Sequence, residues 1–500
     1  MAGRLQEVDK PLVVLLVATM IAQIASGVAL LIDWARFGAT GEWAFGLALL
    51  VSYPLIIVHL FVVGVFARRT AYYLLHPRTA VRRFYARILR RQVKQLRRKH
   101  HIVMVAVTGT AGVSETGHTI AELLGQSLRV RYKHHGSNNM LAAPLVFFDQ
   151  SPPRLWNLLG WMRLFGENAA TLEHPYGADV VVIVVDPTQP SQAGQLGYLK
   201  PDITVVTALT QELADRMPTI DSIASELLVL TDNSKRVLVN GDDIPAKYLL
   251  GRSFAEYSLV ANVAHNYFAT FQTNGLHGQG LQVEFPSGTF GAETTLVGEG
   301  WAKAILAAAA TADMLGMHRR IIAQNIAALS AAAGQMQVLA GQQNSALLDD
   351  TYNASPATVN AALRVLYGAK APQRIAILGT MRGLGAYTRQ AHRQVGLSCN
   401  PNKLDVVVTI GEDARHWLAP AAREAGCQVH SFISPYDAGN YVRTQLKEKA
   451  VVLASGPQTG VFVEESLKPL LAHPSDTAKL ARQGEKWLQK KAKRFKNATL

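Results

Sequence analysis

The chain has 500 residues, room for about three domains of roughly 150 residues each, and it is 49% hydrophobic and only 17% charged. That composition excludes a disordered chain, and having only two cysteines, Cys399 and Cys427, excludes a disulfide scaffold and paired-thiolate metal sites. The net charge of +14 is concentrated, because residues 68–99 hold twelve Lys/Arg and no acid.

In chain order, residues 11–32 carry no charge, and neither do residues 43–66 apart from titratable His59. Each run is long enough to cross a hydrocarbon core of ~30 Å as a helix. Residues 1–67 therefore read as a two-helix membrane hairpin, with two buried helices of a soluble core as the competing reading. The basic stretch that follows predicts two spans with both termini and the main body on the cytoplasmic side.

Within residues 68–101, Val81, Phe84, Tyr85, Ile88, Leu89, Val93 and Leu96 recur at helical spacing. Arg82, Arg83, Arg87, Arg90, Arg91 and Lys94 fill the other side. This pattern suits an amphipathic helix on an anionic leaflet. A nucleic-acid-binding helix has similar charge, but the position directly after a span favours anionic lipid as partner over nucleic acid. The basic tail, residues 473–500, reads equally as a solvated terminal helix or a second surface contact.

An apolar run at 101–108, then Gly109-Thr110-Ala111-Gly112-Val113-Ser114-Glu115-Thr116, then a helical pattern at 120–128, form the strand–glycine turn–helix setting of a phosphate loop. The cation such a loop needs is absent, since Val113 takes its place, while Ser114 could still hold magnesium. Further strands are predicted at 179–185, 202–207 and 236–240, alternating with helices as in a parallel α/β sheet. Glycine-punctuated short runs at 267–297 predict an antiparallel patch, and residues 301–315 an alanine-rich helix. A second α/β unit, with strands at 374–378, 404–409, 428–432 and 450–454, begins near 335.

The stretch Leu348-Asp349-Asp350-Thr351-Tyr352-Asn353-Ala354-Ser355-Pro356, followed by a helix and by the run 374–385, resembles the third domain of the Mur ligases. Within that family it is most similar to the branch that adds D-alanyl-D-alanine to UDP-N-acetylmuramoyl-tripeptide. Asn138-Asn139, Asn240-Gly241-Asp242-Asp243 and Ser455-Gly456-Pro457-Gln458 with Glu464 resemble further segments of that branch, over roughly residues 102–470. The resemblance implies a central P-loop-type α/β domain, 102–333, and a C-terminal Rossmann-like α/β domain, 334–472. The family's uridine-binding domain is replaced by the N-terminal hairpin and basic helix.

In the family, ATP phosphorylates a carboxylate and an amine attacks the acyl phosphate, which requires cations and a fixed magnesium. The resemblance implies that Gly109, Gly112, Ser114, Asp350, Tyr352 and Asn353 are retained nucleotide-side positions and that Asn138 and Asn139 lie on the substrate side. An alternative for Asp350, Tyr352 and Asn353 is a structural turn ahead of a helix. The loop lysine falls at Val113, and the three metal-site residues fall at about Val184, Leu213 and Leu227. The pair facing the adenine falls at Gly300-Trp301, where Trp301 could fill that pocket or be core. The later arginine, aspartate and lysine fall near Gln335, Thr380 and Ser455. Ser114 and, after a register shift, Asp186 remain as metal candidates, with Glu226 as a further acid.

These substitutions predict a Mur-ligase-like protein of cell-wall precursor assembly at a bacterial cytoplasmic membrane, catalytically impaired and acting as a scaffold or regulator. The alternative is an active, divergent ATP-dependent amide ligase on a peptidoglycan precursor or capsule-type polymer. A third reading is a non-enzymatic module for anionic lipid or nucleic acid. ATP and magnesium are the implied cofactors if ligation is retained, and none if it is lost. An active Mur ligase or another cell-envelope enzyme is the implied protein partner.

Overall fold

The structure, a computed structural model, describes residues 75–133, 140–185, 196–210, 219–260 and 266–495, with isolated positions between 18 and 36 and at 194 and 217. It divides into two units, residues 1–92 with 152–167, and residues 93–151 with 168–500.

The larger unit takes in the end of helix α1 (Pro77–Lys99), which leads into strand β1 (Val103–Thr108), helix α2 (Val113–Gly125) and β2 (Val130–Tyr132). Helix α3 (Leu158–Glu173) precedes β3 (Val180–Val185) and β4 (Ile203–Val206), and α4 (Ile220–Leu228) precedes β5 (Arg236–Asn240) and β6 (Ala255–Ser258). A meander of β7 (Tyr267–Thr273), β8 (Gln279–Phe285) and β9 (Gly288–Thr294) then leads to helices α5 (Glu299–Met314) and α6 (Arg319–Ala327). These strands form a sheet ordered β2-β3-β1-β4-β5-β6-β7-β8-β9, parallel as far as β7 and antiparallel through β8 and β9. Strand β3 is all Val and Ile and fully buried, as a parallel strand covered on both faces must be. Alanines along α5, among them Ala304, Ala307 and Ala308, are buried and let that helix lie close to α2.

The second sheet is ordered β10-β11-β15-β12-β13-β14. It comprises β10 (Gln337–Ala340), β11 (Ala346–Asp350), β12 (Arg374–Gly379), β13 (Val406–Ile410), β14 (Val429–Phe432) and β15 (Val451–Ser455). Only β10 runs antiparallel to its neighbour. Helices α7 (Pro356–Gly368), α8 (Thr388–Ser398) and α9 (Pro435–Gln445) are among those connecting the strands. The α/β architecture with a central and a C-terminal domain is as the sequence predicts. The 267–297 patch is the β7–β9 meander.

In the smaller unit, Tyr85 of α1 stacks on Trp161 of α3 with ring centroids 4.2 Å apart, and Gln92 donates to the Phe165 carbonyl at 2.9 Å. The apolar stripe expected to face lipid is therefore largely used within the protein, since Tyr85, Leu89, Val93 and Leu96 are all buried. Arg82, Arg87, Arg90, Arg91 and Lys94 stay on the exposed side, and Arg83 is half-buried.

The two-span membrane topology is corrected. Among the described residues no helix is long and apolar enough to cross a membrane. The runs 11–32 and 43–66, on which the hairpin was read, fall almost wholly outside those residues. The charges taken as a positive flank also have structural work: Arg97 pairs with Asp202 at 2.9 Å, and Lys99 donates to the Leu172 carbonyl. Counting cations does not distinguish such ion pairs from a topological signal.

The basic tail also differs from expectation. Helix α10 (Glu485–Arg494) turns Lys491 inward, where it meets Glu464 at 2.9 Å and Glu465 at 2.6 Å. Arg482, just before it, grips Glu464 through both Nε and Nη2. Lys468 adds a further contact to Glu465 at 2.7 Å. Burial works against ionisation of Glu465, but hydrogen bonds from Lys468 and Lys491 outweigh it and hold its pKa below the usual glutamate value.

Candidate functional site

The loop leaving β1 lies at the carboxyl ends of the parallel strands, where open α/β sheets place their ligands. Two glycines shape it. Gly109 has φ 153°, and a Cβ there would lie 2.1 Å from Thr207 Oγ1. Gly112 has φ 70° and caps α2 in the left-handed region. Thr207 Oγ1 donates to the Ala111 carbonyl at 2.7 Å, and Thr110 Oγ1 accepts from the Thr210 amide at 2.8 Å, so the loop is tied to the chain leaving β4.

The structure brings Gly112, Ser114, Asp350, Tyr352 and Asn353 around one cavity of about 80 Å³, with Gly109 at the start of the loop. Asn138, Asn139, Asp186 and Leu213 lie outside the described residues. Glu226 is half-buried on α4. The structural turn ahead of α7 is built by other residues. Ser355 and Thr358 form a reciprocal capping box with Pro356 in the first turn, and Asp349 accepts from the amide and hydroxyl of Thr351. Asp350 instead ends β11 beside Ser455, whose hydroxyl donates to it at 3.2 Å.

Val113 and Val184 are both buried in one apolar cluster, which also holds Trp301. Trp301 is core: it is 3% exposed, and its indole N–H donates to the Gln335 carbonyl at 3.2 Å. Leu227 is buried, and so is Thr380, whose hydroxyl accepts from the Ala414 amide. The stretch from Asn240 to Asp243 is a local hydrogen-bonded turn, with Asn240 donating to Asp243 and Asp242 accepting from Ser258 and the Leu259 amide.

Two residues at the cavity, Glu115 and Gln335, were not among the predicted site residues, although Gln335 stands where the resemblance places an arginine. Glu115 stands two positions after Val113, where an acid is the opposite of what phosphate needs. Its signal was present in the loop's own composition. Burial pushes its pKa up to about 7. Burial, and then the Glu115 charge, raise Asp350 well above the usual carboxylate range. Gln335 is 1% exposed, and neither polar atom of its side-chain amide has a hydrogen-bond partner in the structure.

An adjoining cleft of about 310 Å³ is lined by Asn240, Asp243, Glu299, Lys303, Asn360 and Arg364 together with the loop. Lys303 bridges Asp243 at 2.8 Å and Glu299 at 3.1 Å, and Arg364 meets Glu299 at 2.8 Å. Burial works against the charge on Lys303, but hydrogen bonds and charges from Asp243 and Glu299 outweigh it and raise its pKa.

Residues 107–312 match the Mur ligase middle domain, and residues 334–457 match the Mur ligase glutamate ligase domain. The chain is 23% identical over 327 residues to the UDP-N-acetylmuramoyl-tripeptide–D-alanyl-D-alanine ligase of Escherichia coli, which covers 64% of this chain and 66% of that protein. It is 24% identical to the Synechocystis enzyme of the same name, over 67% of each chain. It thus spans about two thirds of these relatives. Among solved structures, MurF from Acinetobacter baumannii superposes with TM-score 0.62 at 18% identity, covering 75% of this chain and 78% of that one. MurF ligase from Thermotoga maritima in complex with ADP superposes with TM-score 0.60 at 17% identity, over 77% and 83%. With both domain models matched in order along one chain, and with the fold shared, this protein belongs to the Mur ligase family.

Proposed function

We propose that the protein takes part in peptidoglycan precursor assembly as a Mur-ligase-like scaffold or regulator with impaired ligation. The observation that carries this is the pair Val113 and Val184, buried in one apolar cluster at the positions where the family resemblance implies a lysine and a magnesium-binding glutamate. The residues present do not fit a magnesium nucleotide held in the family's manner. The cavity beside the loop is lined by two carboxylates, Glu115 and Asp350, and by no Lys, Arg or His. Phosphate placed there would meet no cation, and its charge would oppose ionisation of the Glu115–Asp350 pair.

Calorimetric titration of the full-length chain with MgATP tests this, alongside phosphate release with UDP-N-acetylmuramoyl-tripeptide and D-alanyl-D-alanine. The expected result is no micromolar binding and no release above background. Tight binding with turnover would instead establish the active, divergent ligase.

The exposed row Arg82, Arg87, Arg90, Arg91 and Lys94 supports an anionic surface as a partner. Each such cation adds about 1 kcal/mol near anionic headgroups. Binding of the full-length chain to phosphatidylglycerol vesicles is expected to fall steeply with salt and to weaken when Arg87, Arg90 and Arg91 are changed to Gln. Equal binding to neutral phosphatidylcholine vesicles counts against it.

A further inference from the structure

We propose that the cavity between the α2 loop and the end of β11 is a divalent-cation site that works without nucleotide, held by the carboxylates of Glu115 and Asp350 and the side-chain amide oxygen of Gln335. The loop has inverted its charge. Its backbone keeps the turn of a phosphate cradle, yet the cavity beside it is lined by two carboxylates, Glu115 of the loop and Asp350 of β11, and by no Lys, Arg or His. The cations nearby are engaged elsewhere, Lys303 with Asp243 and Glu299, Arg364 with Glu299, and Arg482 with Glu464.

Gln335 is the independent observation. It is among the residues lining this cavity, is 1% exposed, and has both polar atoms of its buried amide unpartnered. A buried polar group left unsatisfied is rare in folded proteins and points to something that binds there. Among the described residues no three His, Cys, Asp or Glu converge on one point, so a site here has two carboxylates and would need this amide as a third protein donor.

Oxygen-only donors suit a hard cation such as calcium or magnesium, which completes its shell with water. The hydroxyls of Ser114 and Thr358 also line the cavity and can hold those waters. The volume of about 80 Å³ has room for an ion with a few waters. The ligand set is distinct from the one the family resemblance implies, since Val184 and Leu227 are buried and apolar.

The test uses the full-length chain with no nucleotide, so it does not depend on whether ligation is retained. Thermal unfolding and calorimetric titration are run with CaCl2 and MgCl2, with NaCl at matched ionic strength and with ethylammonium chloride. A saturable rise in the midpoint with a divalent cation is expected, with Kd on the order of 10⁻⁴–10⁻³ M. Glu115→Gln and Gln335→Leu are each expected to weaken binding at least ~10-fold. Glu115→Gln removes a titratable charge at nearly constant volume and Gln335→Leu removes a buried amide without partners, so both are expected to fold, as the midpoint without divalent cation will show. The proposal is overturned if NaCl raises the midpoint equally, if ethylammonium matches calcium, or if Glu115→Gln leaves the divalent response intact.

Discussion

Arg482→Ala is expected to lower the free energy of unfolding by about 3–5 kcal/mol. Glu464 is fully buried, and its carboxylate is held by the guanidinium fork of Arg482 and by Lys491. Removing the fork leaves a buried negative charge with one partner and empties two further contacts, to the carbonyls of Thr351 and Tyr352. Those carbonyls belong to the segment that lines the cavity, so the stability loss should come with a looser wall at Tyr352. Arg482→Lys keeps the charge but loses the planar fork and should recover only part of the loss. Arg482→Met combined with Glu464→Gln removes both charges and should cost less than Arg482→Ala alone. Urea unfolding followed by tryptophan fluorescence measures the series. A loss under ~1 kcal/mol for Arg482→Ala would mean the pair behaves as a solvated surface bridge.

Restoring a lysine alone is not expected to restore nucleotide binding. In Val113→Lys the ammonium would start in an apolar cluster, with the carboxylates of Glu115 and Asp350 as its nearest acids, and would pair with them rather than with phosphate. The triple variant Val113→Lys, Glu115→Thr, Val184→Glu removes one acid from the cavity and supplies both missing functions. It is expected to bind MgATP at least ~100-fold more tightly than the unmodified chain, given that single donors to a developing anion are commonly worth about 2.7–4 kcal/mol. Fluorescent-nucleotide titration of the three forms checks this. Equal affinity in the single and triple variants would show that Glu115 does not oppose phosphate.

Much of the sheet architecture was legible because parallel strands declare themselves as short runs of Val and Ile. Strands β3, β12 and β13 fall within a residue or two of their apolar runs. Strands β10 and β6 were not, since Gln337–Ala340 and Ala255–Ser258 are four residues each and only partly buried, too short for a period to show. Five of the six positions that the resemblance marks as nucleotide-side, Gly112, Ser114, Asp350, Tyr352 and Asn353, line one cavity. The charge of that cavity was not legible, because Glu115, Gln335 and Asp350 come together only through the packing of one domain on the other. The basic segments misled for a related reason. A lysine in sequence looks solvated, and Lys491 is 1% exposed because two glutamates 26 and 27 residues earlier wait for it.

That last arrangement makes the order of synthesis matter. The segment bearing Glu464 and Glu465 emerges from the ribosome before Arg482 and Lys491, so the second sheet can assemble while two of its inward carboxylates still lack those cations. A nascent or prematurely terminated chain would hold those charges in water and keep that region open. Arrival of Arg482 and Lys491 then pairs those carboxylates, and the Arg482 contacts to the Thr351 and Tyr352 carbonyls tie down the adjoining segment. These contacts form only once the segment through Lys491 has left the ribosome, and a chain cut short before Arg482 is expected to be cleaved faster by proteases than the full-length chain.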